Sequence, residues 1–507
     1  MHTALPTYLA LSALFSQTAT AFYPYQPPDA SDSRSSSSKA RRIPHPSTPD
    51  SSRSLTLPLH RVTTPLGLRP RQNAYNIVNS ADPKQENSVA IDQDGGDLSY
   101  MVAVTFGDSK EEYHLLLDSA ASNTWVMGQD CTSAACGIHN TFGKGDSSTL
   151  TTQTDPFNIT YGTGSVSGLL ASDTLHIGPL SPTVTFGLAT TVSQEFRSYP
   201  MDGILGIGRG TSSSSSLIDA LSSSNMLDSK LYGIHLSRNT NTNANNFADG
   251  ELNLGATNPS RFTGSINYIP TTPSTQDSFW EIPLDTASWD NTPIPLPNPQ
   301  KQRTAILDTG TSYILIPPSD AQALHTSIPH ATTRSSPNGE IFYVPCDTNA
   351  TLSFTFNNIA YNISTVDWRG GKVESEDGLC RSNIVGRAAF GEARWLVGDV
   401  FLKNVYSVFD FGEGGRVGFG VLRAEGEGEG GQSQSIVTAT ATATGAGAES
   451  TVAVVGSGTP TVLGVPSTTT AAGGAGSASQ DQSGAQGGVF IPWSILLVAF
   501  STISLYI

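Results

Sequence analysis

A short pattern occurs twice in this chain. The first copy reads Leu116-Leu117-Asp118-Ser119-Ala120-Ala121-Ser122, and the second, 190 positions later, reads Ile306-Leu307-Asp308-Thr309-Gly310-Thr311-Ser312. Each copy is two apolar residues, an aspartate, a hydroxyl residue and small residues. Each also has an echo downstream: Gly206 of Ile204-Leu205-Gly206 lies 88 positions beyond Asp118, and Gly398 of Leu396-Val397-Gly398 lies 90 beyond Asp308. One such loop reads equally well as an Asp capping a turn, with Ser, Thr and Gly there for turn geometry. Two loops with matching echoes indicate a duplicated lobe.

An aspartate at the end of an apolar strand is costly to desolvate. One in each lobe points to paired carboxyls meeting at a two-fold axis. Two carboxyls in contact do not both ionise cheaply, so the pair holds one proton between them. Such a dyad offers a general base and a general acid at one place. A water between them can lose a proton to one carboxylate while the other protonates a carbonyl oxygen. That is direct peptide hydrolysis without a covalent intermediate.

The 507 residues exceed one ordinary domain. Alternating apolar and polar residues recur, as in Leu175-His176-Ile177, Thr183-Val184-Thr185-Phe186 and Leu352-Ser353-Phe354-Thr355-Phe356, with Gly, Asn, Asp and Ser between them. This predicts mostly antiparallel β structure. Short helices are expected over 214–221 and 318–325. Charged residues make up only 14% of the chain, and the net charge is −16. An acidic surface argues against nucleic-acid binding, which needs basic clusters.

With the motifs in hand, the chain resembles the pepsin-like aspartic peptidases over roughly residues 97 to 424. Asp308-Thr309-Gly310 matches that family's D-T-G motif, and Asn123-Thr124-Trp125-Val126 resembles the tail of its first site. The segment Ile159-Thr160-Tyr161-Gly162-Thr163-Gly164-Ser165 looks like the flap hairpin, whose Tyr closes over substrate. Asp202-Gly203-Ile204-Leu205-Gly206 and the run from Trp395 to Phe409 resemble the signatures of the two lobes. Five matches in order are far more specific than a lone motif. The resemblance implies an all-β, bilobal fold, with one lobe to about 275, the other from about 276 and the cleft between them. It implies catalysis by Asp118 and Asp308, and substrate contacts from Tyr161, Gly162 and Thr163. Ser119, Thr309, Gly310 and Thr311 would support the two active loops. No metal or organic cofactor is implied. Protein or peptide substrates and a monomer are.

The first site departs from the family. It reads Asp118-Ser119-Ala120-Ala121 where the family has D-T-G-S. Ser119 keeps the hydroxyl that crosses between lobes. Ala120 adds a Cβ close to the dyad. Ala121 lacks the hydroxyl that in the family bonds the first carboxylate. An alternative reading of this departure is a catalytically silent pepsin-fold protein that binds peptides or cell-wall material.

The flanks read as processing and anchoring signals. Residues 1–21 carry a short apolar run and Ala19-Thr20-Ala21, as in an export signal. Residues 22–71 are Ser- and Pro-rich, with eight basic and three acidic residues, or +5. From residue 72 onward the count is 19 basic and 40 acidic, or −21. A basic linker is the plain reading. The resemblance implies a propeptide lying over an acidic cleft, with Arg41-Arg42 and Arg69-Pro70-Arg71 as processing sites. After Leu422 the composition turns to Gly, Ser, Thr, Ala, Glu and Gln, so 425–476 reads as a glycosylated stalk. Residues 489–507 are apolar and uncharged with no basic residue after them. With the small residues Gly476 and Ser477 and a polar spacer, residues 477–507 match a GPI-attachment signal, Gly476 or Ser477 being the anchor site. A terminal transmembrane span is the alternative. Signal, propeptide, peptidase body, stalk and anchor together resemble the fungal GPI-anchored, yapsin-like aspartic peptidases. The expected location is the outer face of the cell membrane, or else the cell wall or medium.

Four cysteines in an exported chain suit two disulfides. No His sits beside them at ligand spacing, which argues against zinc. By the resemblance, Cys131 pairs with Cys136 and Cys346 with Cys380. Closing the longer loop contributes about 3–4 kcal/mol in the chain-entropy account. Sequons at Asn158, Asn349 and Asn362 mark glycosylation sites.

Overall fold

The computed structural model describes residues 73, 75, 77–210, 216–239, 248–273, 279–373 and 378–423. The segments expected to be export signal, propeptide, stalk and anchor signal lie outside the described residues, with Gly476 and Ser477 and the expected lobe boundary near 275.

Among the described residues the strands form sheets of thirteen, nine and four. The fold is all-β with few, short helices, as the alternating patterns predict. The helix expected from 214 runs Leu217–Ser223. Ser216 stops it on the N-terminal side, since its side chain accepts from the Asp219 amide at 3.2 Å. The second helix is Pro318–Thr326.

The repeat seen in the sequence is a repeat of topology. Strand Tyr113–Asp118 runs parallel to Gly203–Gly206, with Asp118 opposite Gly206. Gly203–Gly206 is antiparallel to Trp125–Met127, which is parallel to Thr183–Val192. The second lobe repeats this. Arg303–Leu307 runs parallel to Arg394–Val397, with Leu307 opposite Val397. Arg394–Val397 is antiparallel to Ile314–Ile316, which is parallel to Ile384–Gly386. The near-equal offsets are therefore the registers of two equivalent parallel pairs.

The glycine in each echo has a steric cause. A Cβ on Gly206 would lie 2.7 Å from the Asn123 amide nitrogen, and one on Gly398 would lie 1.9 Å from the Thr311 carbonyl oxygen. In both lobes the chain leaving the aspartate loop crosses that point, so only glycine fits.

The lobes are joined by strand pairing as well as packing. Val405–Asp410 pairs with Leu231–His235, and Arg416–Leu422 pairs with Phe262–Pro270, all within the thirteen-stranded sheet. The C-terminal end of the described residues is thereby built into the sheet that carries Asp118. At the start of the strand that leads to Asp308, Arg303 makes two bonds to Asp320 (2.8 and 3.1 Å), and the indole of Trp395 donates to Asp320 at 2.9 Å. This buried pair is fully hydrogen-bonded, which offsets its desolvation.

Candidate active site

Asp118 ends an apolar strand and Asp308 follows one directly. Both are fully buried. Every residue named for the active loops comes together here. Oδ1 of Asp118 accepts the amides of Ala120 and Ala121, each at 2.8 Å. Oδ1 of Asp308 accepts the amide of Gly310 at 2.8 Å, and its Oδ2 accepts the Thr311 hydroxyl at 2.5 Å. The alanines of the first loop therefore leave its backbone donors in place. What the first loop lacks is the side-chain hydroxyl: no side chain of that loop donates to Asp118 Oδ2, where Thr311 donates to Asp308 Oδ2.

The loops grip each other through hydroxyls. Ser119 Oγ donates to the Leu307 carbonyl at 3.0 Å, and Thr309 Oγ1 donates to the Leu117 carbonyl at 2.7 Å. Each hydroxyl also accepts the other residue's amide, at 3.0 and 3.1 Å. Gly310 sits against the opposite carboxyl: a Cβ there would come within 2.7 Å of Asp118 Cγ.

Burial and the facing Asp308 charge push Asp118 well above the usual carboxylate range. Burial also raises Asp308, but the Thr311 hydroxyl and Gly310 amide favour its ionised form and hold it to about 6. The pair titrates as a unit. Its asymmetry puts the shared proton on the Asp118 side and the negative charge on Asp308.

Tyr161 ends strand Thr151–Tyr161, which turns through Gly162 and Thr163 into Gly164–His176. Its hydroxyl accepts the Trp125 indole N–H at 2.8 Å. Its ring meets Phe196 edge-on at 6.1 Å, and Phe196 meets Trp125 at 5.5 Å. Gly162 and Thr163 are half-buried at the hairpin tip. The disulfides Cys131–Cys136 and Cys346–Cys380 are both formed. Asn158, Asn349 and Asn362 are exposed, Asn158 on the flap strand itself.

Three buried residues near the site were not singled out by sequence reasoning. Asp399 is buried, its amide donates to the Thr311 carbonyl at 2.8 Å, and burial pushes its carboxyl well above the usual range. Asp202 is buried and accepts the amides of His114 (3.0 Å) and Asn140 (2.8 Å), and burial raises it to about 6. Phe196 forms the wall against Tyr161. Both aspartates lie in segments quoted as signatures, and their charge amid apolar neighbours was the available signal. Phe196, in the short turn Gln194–Ser198, carried none.

Two equivalent β lobes, each delivering a buried aspartate to one point beneath a hairpin, define the aspartic peptidase class. The chain belongs to the family described as Eukaryotic aspartyl protease, which it matches over residues 99–422. It is 42% identical over 352 residues to "Aspartic-type endopeptidase ctsD" of Aspergillus fumigatus, covering 69% of this chain and 71% of the relative. Identity is 30% over 337 residues to "Major aspartyl peptidase 1" of Cryptococcus neoformans, covering 64% and 69%. To "Pepsin A" of Sus scrofa it is 31% over 322 residues, covering 62% and 79%. The protein is an aspartic-type endopeptidase.

Proposed function

We propose that the protein is an exported endopeptidase, held by a GPI anchor on the outer cell surface in the manner of the yapsin-like group, that cleaves polypeptides in mild acid. The asymmetric hydrogen bonding of the dyad carries the mechanism. Asp308, ionised, takes a proton from the attacking water as its oxygen bonds to the scissile carbonyl carbon. Asp118 gives its proton to the carbonyl oxygen. The resulting diol returns a proton to Asp118 as the C–N bond breaks, and Asp308 delivers its proton to the leaving nitrogen. Each carboxyl ends as it began.

Tyr161 closes the flap over the bound peptide, and the turn at Gly162 and Thr163 offers backbone contacts. The alanines of the first site do not favour a silent protein, because both amides still hold Asp118. The location rests on the export signal, the stalk and the uncharged apolar end. Processing at Arg71 would remove the basic segment.

Cleavage of a denatured protein in mild acid, blocked by a statine-containing peptide, tests the chemistry. No cleavage by the processed enzyme at any acid pH would sink it. Truncation before Val489 should release active enzyme into the medium. Labelling with an anchor precursor tests the attachment, and a full-length protein that takes no label and yields only to detergent would replace the GPI anchor with a spanning tail.

A further inference from the structure

The first described residues downstream of Arg71 are bound to the body beside the flap tyrosine. Asn73 Nδ2 donates to Asp202 Oδ1 at 3.1 Å and to the Pro200 carbonyl. The Tyr75 hydroxyl donates to the Arg197 carbonyl, and its ring stacks on His139 with centroids 5.4 Å apart. Ile77 packs against the cluster that contains Trp125, Tyr161, Phe196 and Tyr199.

These contacts fall on the supports of one ring. Arg197 belongs to the five-residue turn Gln194–Ser198, which has no side-chain cap and buries only Phe196. A turn this short has little stability of its own and takes its position from what it is packed against. His139 Nε2 bonds the Tyr199 carbonyl at 2.7 Å, and Tyr199 meets Phe196 edge-on at 6.3 Å. Phe196 in turn is the wall for Tyr161. Tyr75 thus braces the turn at Arg197, and His139, on which it stacks, holds the Tyr199 carbonyl just after the turn.

We infer that Asn73, Tyr75 and Ile77 form a strap that stays on the body after processing and positions the flap. They are positioning residues: they hold Phe196, and Phe196 holds Tyr161. The strap deepens the proposed function, since it rests on Tyr161 closing over substrate. It also assigns a role to the residues immediately after the basic processing site. Cutting downstream of Ile77 would free the flap, whereas cutting after Arg71 would keep it set.

The test compares processed wild type with Tyr75→Ala, Tyr75→Phe and Asn73→Ala. Amide hydrogen exchange is read over residues 159–166, with strand Leu352–Phe356 as an internal reference. Tyr75→Ala should speed flap exchange several-fold and leave the reference unchanged. KM for a peptide substrate should rise more than kcat falls. Tyr75→Phe, which keeps the stack and loses the hydroxyl bond, should fall between wild type and Tyr75→Ala. Unchanged flap exchange in Tyr75→Ala would overturn the strap, and so would an equal rise in flap and reference. If Tyr75→Ala does not fold, Asn73→Ala is read the same way, and an unmoved flap there overturns the inference. A wild type that cleaves nothing would remove the proposed function, while the exchange measurement would still decide the strap.

Discussion

The Thr311 hydroxyl donates to Oδ2 of Asp308 at 2.5 Å, whereas Ala121, three residues after Asp118, gives that carboxyl an amide and nothing more. Hydrogen bonding to an ionised carboxylate lowers its pKa, and losing one raises it. The Asp118 side is accordingly the one pushed furthest up. One neutral bond is worth roughly 0.5–1.5 kcal/mol, or up to about one pH unit. The acid limb of the rate profile marks formation of the singly ionised pair, with the charge on Asp308, and the alkaline limb marks loss of the proton held on the Asp118 side. Ala121→Ser would favour ionised Asp118, so it should move the alkaline limb, where the shared proton is lost, to lower pH. An alkaline limb that stays put or moves up, in a folded variant, would contradict this account.

Asp118→Asn and Asp308→Asn should each abolish peptide hydrolysis. One carboxyl does not serve as acid and base in the same step. Circular dichroism should show both variants folded, because each amide oxygen can still accept the loop amides. Near-normal turnover by either pure variant would remove the dyad.

Thr309→Val tests the grip between lobes. Thr309 Oγ1 both receives the Ser119 amide and donates to the Leu117 carbonyl. Valine keeps the shape and strands both buried groups, at about 1–3 kcal/mol for each one left unsatisfied. Urea denaturation should show a loss of several kcal/mol, on the order of 2–4. A loss below about 0.5 kcal/mol would mean that the hydroxyl network adds little to holding the loops.

Between about pH 4 and 7 the buried carboxyls that hold their protons should make stability fall as pH rises. Asp202 has its folded pKa raised from 3.8 to about 6 by burial. The folded state therefore binds this proton more tightly than the unfolded chain. The stabilisation is complete below about 4 and lost as pH climbs through 6, on the order of 3 kcal/mol from this group. Asp118, Asp308 and Asp399 are raised as well and act in the same direction. Asp202→Asn should flatten the melting-temperature profile between pH 4 and 7, because the amide has no proton to lose. A profile as steep as wild type would acquit Asp202.

Much of the architecture is legible in the sequence. The doubled aspartate loop and its glycine echo are local patterns, and they mark the same turn and the same parallel register in each lobe. The alternation Leu352-Ser353-Phe354-Thr355-Phe356 is a strand with those bounds. The cysteine pairs followed from the family resemblance. Other features had no local trace. Ser119 and Thr309 exchange bonds across 190 positions, and neither neighbourhood names the other. The pairing of Val405–Asp410 with Leu231–His235 depends on where the chain returns, which periodicity does not encode.

What the sequence alone determined is the set of parts: two lobes, two aspartates, a tyrosine hairpin, and the missing hydroxyl at Ala121. A strand's alternation and a turn's small residues are short-range consequences of backbone sterics, so they are written locally. Only the tertiary structure decided which carboxyl keeps the proton, why Asp202 is held near 6, and that Tyr75 reaches the turn behind Tyr161. Those outcomes depend on which groups exclude water and which donors face each oxygen. Desolvation and hydrogen bonding are set by neighbours in space, whatever their distance along the chain.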